Sequence, residues 1–550
     1  MIMYEDDIRR IALINAYQHD GKADVKSVMG KVMAEIADLR RDPKAAKDLV
    51  TRIVDEVNAM SPAEIKEIVE SRYSSSIKKE KKTEDHRLPD LEGVDGPVVM
   101  RMAPSPSGPL HVGHTRMAIL NDEYVKRYGG ELILRIEDTN PKNIDPEAYH
   151  MIPEDLRWLG VNVTKTVIQS DRFDLYYEEA KKLIMNGHMY ICTCPREEFK
   201  KKKLESIPCK DRDNPPEKNM DLFEKMLDGT INEGEAVAVV KTDLNHPNPS
   251  VRDWIAFRII NAVHPRVGDR YRVYPMMSFS VAVDDHYLGL THVLRGKDQL
   301  TNTDKQRYIF EYNGWKRPYY YHYGMIKFPG LKLKTSLMKK GIMSGQYDGW
   351  SDVRLGTVRA FARRGYQPET FRRYWINSGL REIDAIFSIE IFDSINREIV
   401  DPKSYRFSFV KNPVKVVIDN MPRIRSKLPL HPTHPEYGFR EYEVEGTVYL
   451  SESDLTKMNE GERIRLKDLC YIRKKGDRIL YDGLDMTEKT KIINWCPDGS
   501  RDFSVLRPDG SIDRGLIEPM SAGYRGIAQL ERYGYVNIAD SDSVAYFTHS

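Results

Sequence analysis

Cysteine is scarce in this chain, with five in 550 residues. That excludes a small disulfide-built secreted fold, and leaves each cysteine to be read for metal or thiol chemistry. Long apolar runs are missing as well. None approaches the roughly 18 residues that cross a bilayer as a helix, so no membrane partner is expected. A surplus of charge is also missing, because 85 Lys and Arg face 83 Asp and Glu for a net charge of +2. Any nucleic acid would therefore have to be held by local basic surfaces. The acidic start, Met1–Asp7, lacks the apolar core of a signal peptide, which points to the cytoplasm. Internal repeats and long low-complexity tracts are absent. What remains, 31% charged and 40% hydrophobic residues, is the composition of a globular protein. The length implies several domains.

Hydrophobic periodicity divides the chain. Val25, Val28, Val32, Ile36 and Leu39 recur at helical spacing. Ser61, Pro62 and Glu64 supply an N-cap, a first-turn proline and a capping-box acid. Residues 1–74 therefore read as an appended helical domain, poor in catalytic residue types. Residues 75–96 are polar and include the cluster Lys78–Lys82, which reads as a linker. From 97 to 190 strand and helix patterns alternate. Val98–Met102 and Leu132–Ile136 suit a buried parallel sheet, with helices from His111 and from Ile152 packed on it. This is the first half of a doubly wound, Rossmann-like α/β nucleotide-binding fold. Residues 191–270 interrupt the pattern, and apolar runs at Phe279–Val283 and Leu290–Leu294 resume it through 271–338. Residues 339–400 look helical and are strongly basic over Arg354–Arg364. From 401 to 550, Phe407–Val410, Val414–Ile418, Tyr442–Val448, Arg463–Leu466 and Arg478–Tyr481 read as short strands of an all-β region, as in barrels.

The densest chemistry sits at His111-Val112-Gly113-His114. It follows a strand and the turn-rich Ala103–Pro109, so it opens a helix expected to run to Tyr128. Two imidazoles then share one face of the first turn, where free backbone N–H groups and the helix dipole favour phosphate. Gly113 lets a ligand approach the backbone. Alone, this pattern is also compatible with two surface histidines.

Its surroundings narrow the choice. The run Arg101-Met102-Ala103-Pro104-Ser105-Pro106-Ser107-Gly108-Pro109-Leu110-His111-Val112-Gly113-His114 resembles the first signature of class I aminoacyl-tRNA synthetases, closest to the branch that handles glutamate and glutamine. Downstream, Leu134-Arg135-Ile136-Glu137-Asp138-Thr139-Asn140-Pro141 resembles that branch's second signature. The resemblance to the archaeal-type glutamyl and the glutaminyl enzymes runs over about 97–550. It implies a multidomain protein: a catalytic α/β domain, an inserted acceptor-stem-binding domain at 191–270, a helical stem-contact region at 339–400 and anticodon-binding barrels at 401–550. A helical-cage ending, as in bacterial glutamyl enzymes, does not suit the β-rich C-terminal part.

The reaction so implied joins glutamate to ATP as glutamyl-adenylate and then to a tRNA ribose hydroxyl. It needs positioning and charge stabilisation rather than a covalent nucleophile. His111 and His114 are expected to act on phosphate, with Gly113 in the ATP site. Lys332-Leu333-Lys334-Thr335-Ser336 resembles the family's K-M-S-K-S loop, placed by Gly349–Thr357, which is similar to its G-W-D-D-P-R segment. Counting back puts Thr335 where relatives have the catalytic lysine, so Lys332 or Lys334 is expected to reach the triphosphate, beside Ser336. Arg295 stands where glutamyl enzymes have arginine and glutaminyl enzymes a smaller uncharged residue. A guanidinium grips a carboxylate through paired charge-assisted bonds, so Arg295 favours glutamate, although a structural salt bridge is its bland alternative. The resemblance also implies that Arg101 and Ser105 contact the amino acid and that Glu137 holds its ammonium group. Relatives carry a tyrosine where Met277 stands, with Ser278 beside it, and Tyr274 is a candidate substitute.

Cys192, Cys194 and Cys209 resemble the zinc pattern of some glutamyl enzymes. Zinc takes four ligands; the usual fourth, a histidine, is replaced by Asp211, and His188 is an alternative. The expected cofactors are ATP and Mg²⁺, with zinc a candidate, and the expected assembly is a monomer. The expected partners are L-glutamate and tRNA(Glu), with tRNA(Gln) a second candidate. RNA contacts are expected on the insertion, on Lys200–Lys203, near Arg359, Arg363 and Arg364, and on the barrels. Three other readings remain: a glutaminyl enzyme, opposed by Arg295; a noncatalytic RNA-binding or assembly protein on the same scaffold, favoured by the altered lysine loop and Met277; and a nucleotidyltransferase for a small acid, which leaves the β-rich half without purpose.

Overall fold

The computed structural model describes residues 4–18, 21–36, 39, 42–73, 88–485, 489–541 and 543–550. The Lys78–Lys82 cluster and most of the expected linker lie outside them. The chain divides into two compact units, residues 1–87 and 88–550.

The first unit contains helices Glu5–Gln18, Val25–Glu35, Pro43–Asn58 and Pro62–Arg72. Their starts are written in side chains. Asp24 accepts from the Ser27 amide and Asp42 from the Ala45 amide, and Ser61 and Glu64 form the reciprocal capping box the sequence announces. Ile8, Ala12, Val28, Val50, Ile53, Val54, Val57 and Val69 meet in its core.

The second unit is built on a parallel layer. Val98–Met102 pairs with Gly130–Ile136, which pairs with Lys165–Ile168. On the other side His292–Gly296 pairs with Tyr319–Tyr323. The two pieces are stitched by Thr291, whose amide donates to Val99 O at 3.0 Å and whose hydroxyl accepts from Val99 N at 2.9 Å. The strand order therefore runs outward in opposite senses on either side of Val98–Met102, which is the switch point where open α/β sheets bind ligands. The helix Val112–Tyr128 begins there and packs Ala118, Ile119, Leu120 and Tyr124 into the core.

Between the two halves, Met189–Cys192, Val237–Val240, Trp254–Ile259 and Val273–Pro275 form an antiparallel sheet. Its core runs from Phe173 to Phe310, including Phe257, Phe279 and Val283. Phe279–Val283 is thus part of a helix, Met277–Tyr287. The helix expected from Ile152 starts earlier, at Ala148.

Two larger sheets and a two-stranded ribbon, Ile424–Pro429 with Phe439–Val444, make the C-terminal part among the described residues. One has seven strands, and its edge strands, Tyr405–Phe407 and Phe409–Lys411, are separated in sequence only by Ser408. A sheet whose two edges adjoin in the chain has to curl until they meet, which produces a nearly closed barrel. That geometry splits the single strand expected at Phe407–Val410. The other sheet has six strands, including Pro413–Asp419 and Thr447–Ser451. The expected strand Tyr442–Val448 is broken at Gly446, whose φ of +66° makes a turn between Phe439–Val444 and Thr447–Ser451. A buried ionic cluster lies between the sheets: Arg440 binds Glu518 and Glu531, and Lys467 also reaches Glu531.

Candidate active site

The turn-rich loop after Val98–Met102 is fixed before the histidines begin. Leu110 N donates to Asp155 Oδ2 at 2.8 Å, and Glu137 N to Pro104 O at 3.0 Å. Val112 N donates to Gly356 O at 3.0 Å, while Gly356 N donates to Lys332 O at 3.1 Å. The Gly349–Thr357 segment thus ties the histidine helix to the lysine loop. A Cβ on Gly356 would stand 2.3 Å from the end of the Leu333 side chain and 3.0 Å from Lys332 O, so a larger residue there would have to displace Leu333.

His111 caps its own helix. Gly113 N donates to His111 Nδ1 at 3.1 Å, and His111 N to His114 Nδ1 at 3.3 Å. Both Nδ1 atoms are therefore acceptors, and both neutral rings carry their proton on Nε2. The rings stack with centroids 3.6 Å apart. Burial, with His114 adding to it, holds His111 well below its usual range, and burial takes His114 down to about 4. Two neutral Nε2–H donors thus stand over a helix N-terminus.

One cavity of about 410 Å³ brings Arg101, His111, Gly113, His114, Glu137 and Arg295 together. Met277 lines it; the Tyr274 hydroxyl does not, and is buried without a partner among the described residues. Glu137 is held from behind. Arg135, fully buried, donates to Glu137 Oε1 from Nε and Nη2 at 3.3 and 3.0 Å, and to Asp285 Oδ1 at 2.6 Å. Burial opposes the Arg135 charge, but Asp285, Glu137 and Asp284 outweigh it and raise its pKa. Burial draws the Glu137 carboxyl upward, and the Arg135 and Arg101 guanidiniums counter it. The second oxygen of Glu137 remains for the cavity.

Arg101 Nη1 donates to Leu294 O at 3.0 Å, and its Nε has no partner among the described residues. Arg295 lies 4.4 Å above the Tyr320 ring, and burial takes its pKa down to about 10. It stays charged at neutral pH, and no carboxylate is paired with it among the described residues.

A second cavity, about 900 Å³, is lined by Ser105, Ser107, Lys334, Thr335, Ser336, Lys339 and Lys340. Ser105 therefore faces the lysine loop rather than lining the Arg101–Glu137–Arg295 cavity. Lys334 caps the helix Thr335–Met343. Lys332 lies in neither cavity: its Nζ donates to the Tyr347 hydroxyl at 2.9 Å.

In the inserted sheet, ligand atoms of Cys192, Cys194, Cys209 and Asp211 lie within 4.8 Å of one another. Asp211 Oδ2 is anchored by the Thr193 amide and hydroxyl at 2.8 and 2.9 Å. The Cys192 thiol and the Asp211 amide draw Cys209 down to about 6, against its burial. His188 is elsewhere, stacked on Tyr312 at 3.9 Å, so of the two candidates only Asp211 lies beside the three thiols.

Near Arg359, where an RNA surface is expected from the sequence, the cations have partners within the protein. Arg359 pairs with Glu154 and Asp155. Arg363 donates to the Tyr546 hydroxyl. Arg364 is buried and donates to Phe547 O and Thr548 O. These cations fasten the helix Val358–Arg364 to the sheet and helix it packs on. Lys200 and Lys201 stay exposed, while Lys202 pairs with Glu198.

Sequence reading missed Arg135 and Asp285. A lone arginine inside the apolar run Leu132–Ile136 was the available signal, because a charge in a buried strand requires partners.

Residues 97–401 match the family described as tRNA synthetases class I (E and Q), catalytic domain, and residues 404–483 match the corresponding anti-codon binding domain. The chain is 85% identical over 547 residues to the glutamate–tRNA ligase of Thermoplasma acidophilum, and 76% identical over 547 residues to that of Thermoplasma volcanium, with all of both chains covered in each case. It is 48% identical to the glutamate–tRNA ligase of Methanocaldococcus jannaschii over 502 residues, 90% of this chain and 89% of that one.

Proposed function

The chain belongs to the class I tRNA synthetases of the glutamate and glutamine branch, and from that premise we propose that it attaches L-glutamate to tRNA(Glu) through glutamyl-adenylate. The observation that carries this reading is the single cavity in which an unpaired buried arginine and an anchored glutamate stand beside two histidine donors at a helix N-terminus. Arg295 and Arg101 suit the side-chain carboxylate, and Glu137 suits the ammonium group. The α-carboxylate is then left to attack the α-phosphate of ATP, forming the acyl–phosphate bond and releasing pyrophosphate. His111 and His114 donate Nε2–H to phosphate oxygens, where charge accumulates. Lys334 serves the triphosphate from the adjoining cavity, with Ser336 and the Thr335 helix N-terminus. A ribose hydroxyl of the terminal tRNA adenosine next takes the acyl group, and AMP leaves. Mg²⁺, when bound, neutralises phosphate charge.

The remainder of the proposal is a monomeric cytoplasmic enzyme, with tRNA(Gln) a second candidate acceptor, the choice between the two tRNAs lying with anticodon contacts rather than with the amino-acid pocket. The insertion binds the acceptor stem and the C-terminal sheets the anticodon. Zinc suits the donor set of the Cys192–Cys194–Cys209–Asp211 cluster: tetrahedral bonds of about 2.3 Å place sulfur ligands about 3.8 Å apart, so Cys209 Sγ, 3.1 and 3.2 Å from the Cys192 and Cys194 sulfurs, would move outward on binding. The Thr193 bonds leave Asp211 one carboxylate oxygen for metal. Elemental analysis of metal-replete protein is expected to find one zinc per chain, lost in Cys209→Ser. The reading as a whole is tested by ATP- and tRNA-dependent attachment of labelled glutamate. No attachment, with tRNA still bound, would favour a noncatalytic scaffold protein.

A further inference from the structure

The side-chain end of the amino-acid pocket contains a group that the reading above does not use. Gln306 lies on the helix Leu300–Asn313, fully buried, and lines the same cavity as Arg295. Its Oε1 accepts from Arg295 Nη1 at 2.9 Å, and its Nε2 has no partner among the described residues. The orientation of the amide follows from chemistry, since turning it over would set an N–H₂ against a guanidinium N–H. Among the described residues Arg295 has two further donors without a partner, Nε and Nη2, and Arg101 has Nε. A buried amide donor left unpaired costs about 1–3 kcal/mol, so a pocket holding four such donor atoms is built for something that only accepts.

We propose that Gln306 is a specificity-determining residue: its Nε2–H donates to the substrate's side-chain carboxylate while its Oε1 fixes the Arg295 guanidinium for the same group. The inference rests on the reading of Arg295 as the carboxylate contact. An ionised carboxylate accepts at both oxygens and satisfies Gln306 and Arg295 together. The side-chain amide of glutamine offers one accepting oxygen. Its N–H₂ would then meet Gln306 Nε2 or Arg295 Nη2, donor against donor, at atoms buried from solvent. Discrimination thus comes from two residues, with Gln306 adding a second donor against the amide that Arg295 already disfavours. Met277 and Val281, on the same cavity wall, supply apolar surface for the methylenes.

Two variants of the full chain test this, with labelled glutamate, labelled glutamine and purified tRNA(Glu). Gln306→Met keeps length and removes both polar atoms. The KM for glutamate is expected to rise about tenfold or more, with kcat within about threefold, as for a ground-state contact to a charged group. Gln306→Glu keeps the shape, pairs with Arg295 and offers the amide of glutamine an acceptor. The ratio of kcat/KM for glutamate over glutamine is expected to fall at least a hundredfold, roughly one decade per 1.4 kcal/mol. The KM for ATP, unchanged in both, excludes misfolding as the cause. Glutamate KM and the amino-acid ratio both within twofold of the parent would overturn the proposal. Arg295→Leu separates the two levels. Loss of glutamate use in Arg295→Leu with both Gln306 variants unaffected removes the Gln306 role alone. Unchanged glutamate KM in Arg295→Leu removes the underlying reading with it.

Discussion

Replacing Glu137 by glutamine changes one atom type and isolates the ammonium site. Arg135 donates to Oε1 from two nitrogens, so the glutamine carbonyl is compelled to take that place. Its N–H₂ then faces the substrate ammonium, donor against donor. The lost attraction, for opposite charges about 3 Å apart at an effective dielectric near 20, is about 5 kcal/mol before desolvation is deducted. A charge-assisted hydrogen bond alone contributes about 1.5–3 kcal/mol. A net loss of about 2–4 kcal/mol corresponds to a fall in kcat/KM for glutamate of about 30- to 1000-fold. Initial rates of tRNA charging at varied glutamate read this directly. The KM for ATP should stay put, because the phosphate contacts are on another element. The fold should survive, since Arg135 keeps Asp285 and a carbonyl acceptor. A kcat/KM for glutamate within threefold of the parent, in protein with unchanged melting, would refute the reasoning.

Three other expectations concern the rest of the site and its support. Lys334→Ala should slow pyrophosphate exchange by one to three decades, whereas Lys332→Ala, whose ammonium is engaged by Tyr347, should cost less than about threefold; equal losses would contradict the assignment. Arg364→Ala leaves Phe547 O and Thr548 O without their donors, so thermal stability should fall by about 2–5 kcal/mol while tRNA affinity of the folded protein holds; a selective loss of tRNA binding would restore the RNA-contact reading. His114 sits at about 4 against 6.5 when free, so the unfolded chain takes up that proton first. Its contribution is therefore complete above pH 6.5 and is lost as pH falls towards 4, by at most about 3 kcal/mol. Melting curves of His114→Asn should flatten over that window, and parallel curves would contradict the assignment.

The parts of the fold legible in the sequence are those set by local physics. The capping box at Ser61 and Glu64, the apolar run Val98–Met102 and the turn before His111 each specify their element from adjacent residues. The split at Ser408 was not legible, because it follows from closure of a sheet whose other strands lie beyond residue 500. Phe279–Val283 is apolar all round and buried, a pattern that does not separate strand from helix. Within the site, residue types gave Arg295 and Glu137 a chemistry, but Gln306 and Asp285 become visible only when strand ends and helices meet. The arginines of Val358–Arg364 show the converse: a basic run suggested RNA, and three carbonyl or hydroxyl acceptors and two carboxylates account for it.

The central claim is that this pocket selects glutamate and delivers it to tRNA. Its most direct test is charging of purified tRNA(Glu) and tRNA(Gln), each with glutamate and with glutamine, in the presence of ATP. The account predicts glutamate on tRNA(Glu), with glutamine disfavoured by about a thousandfold or more in kcat/KM, and glutamate rather than glutamine on tRNA(Gln) if that tRNA is charged. Attachment of glutamine in preference to glutamate, on either tRNA, would contradict it.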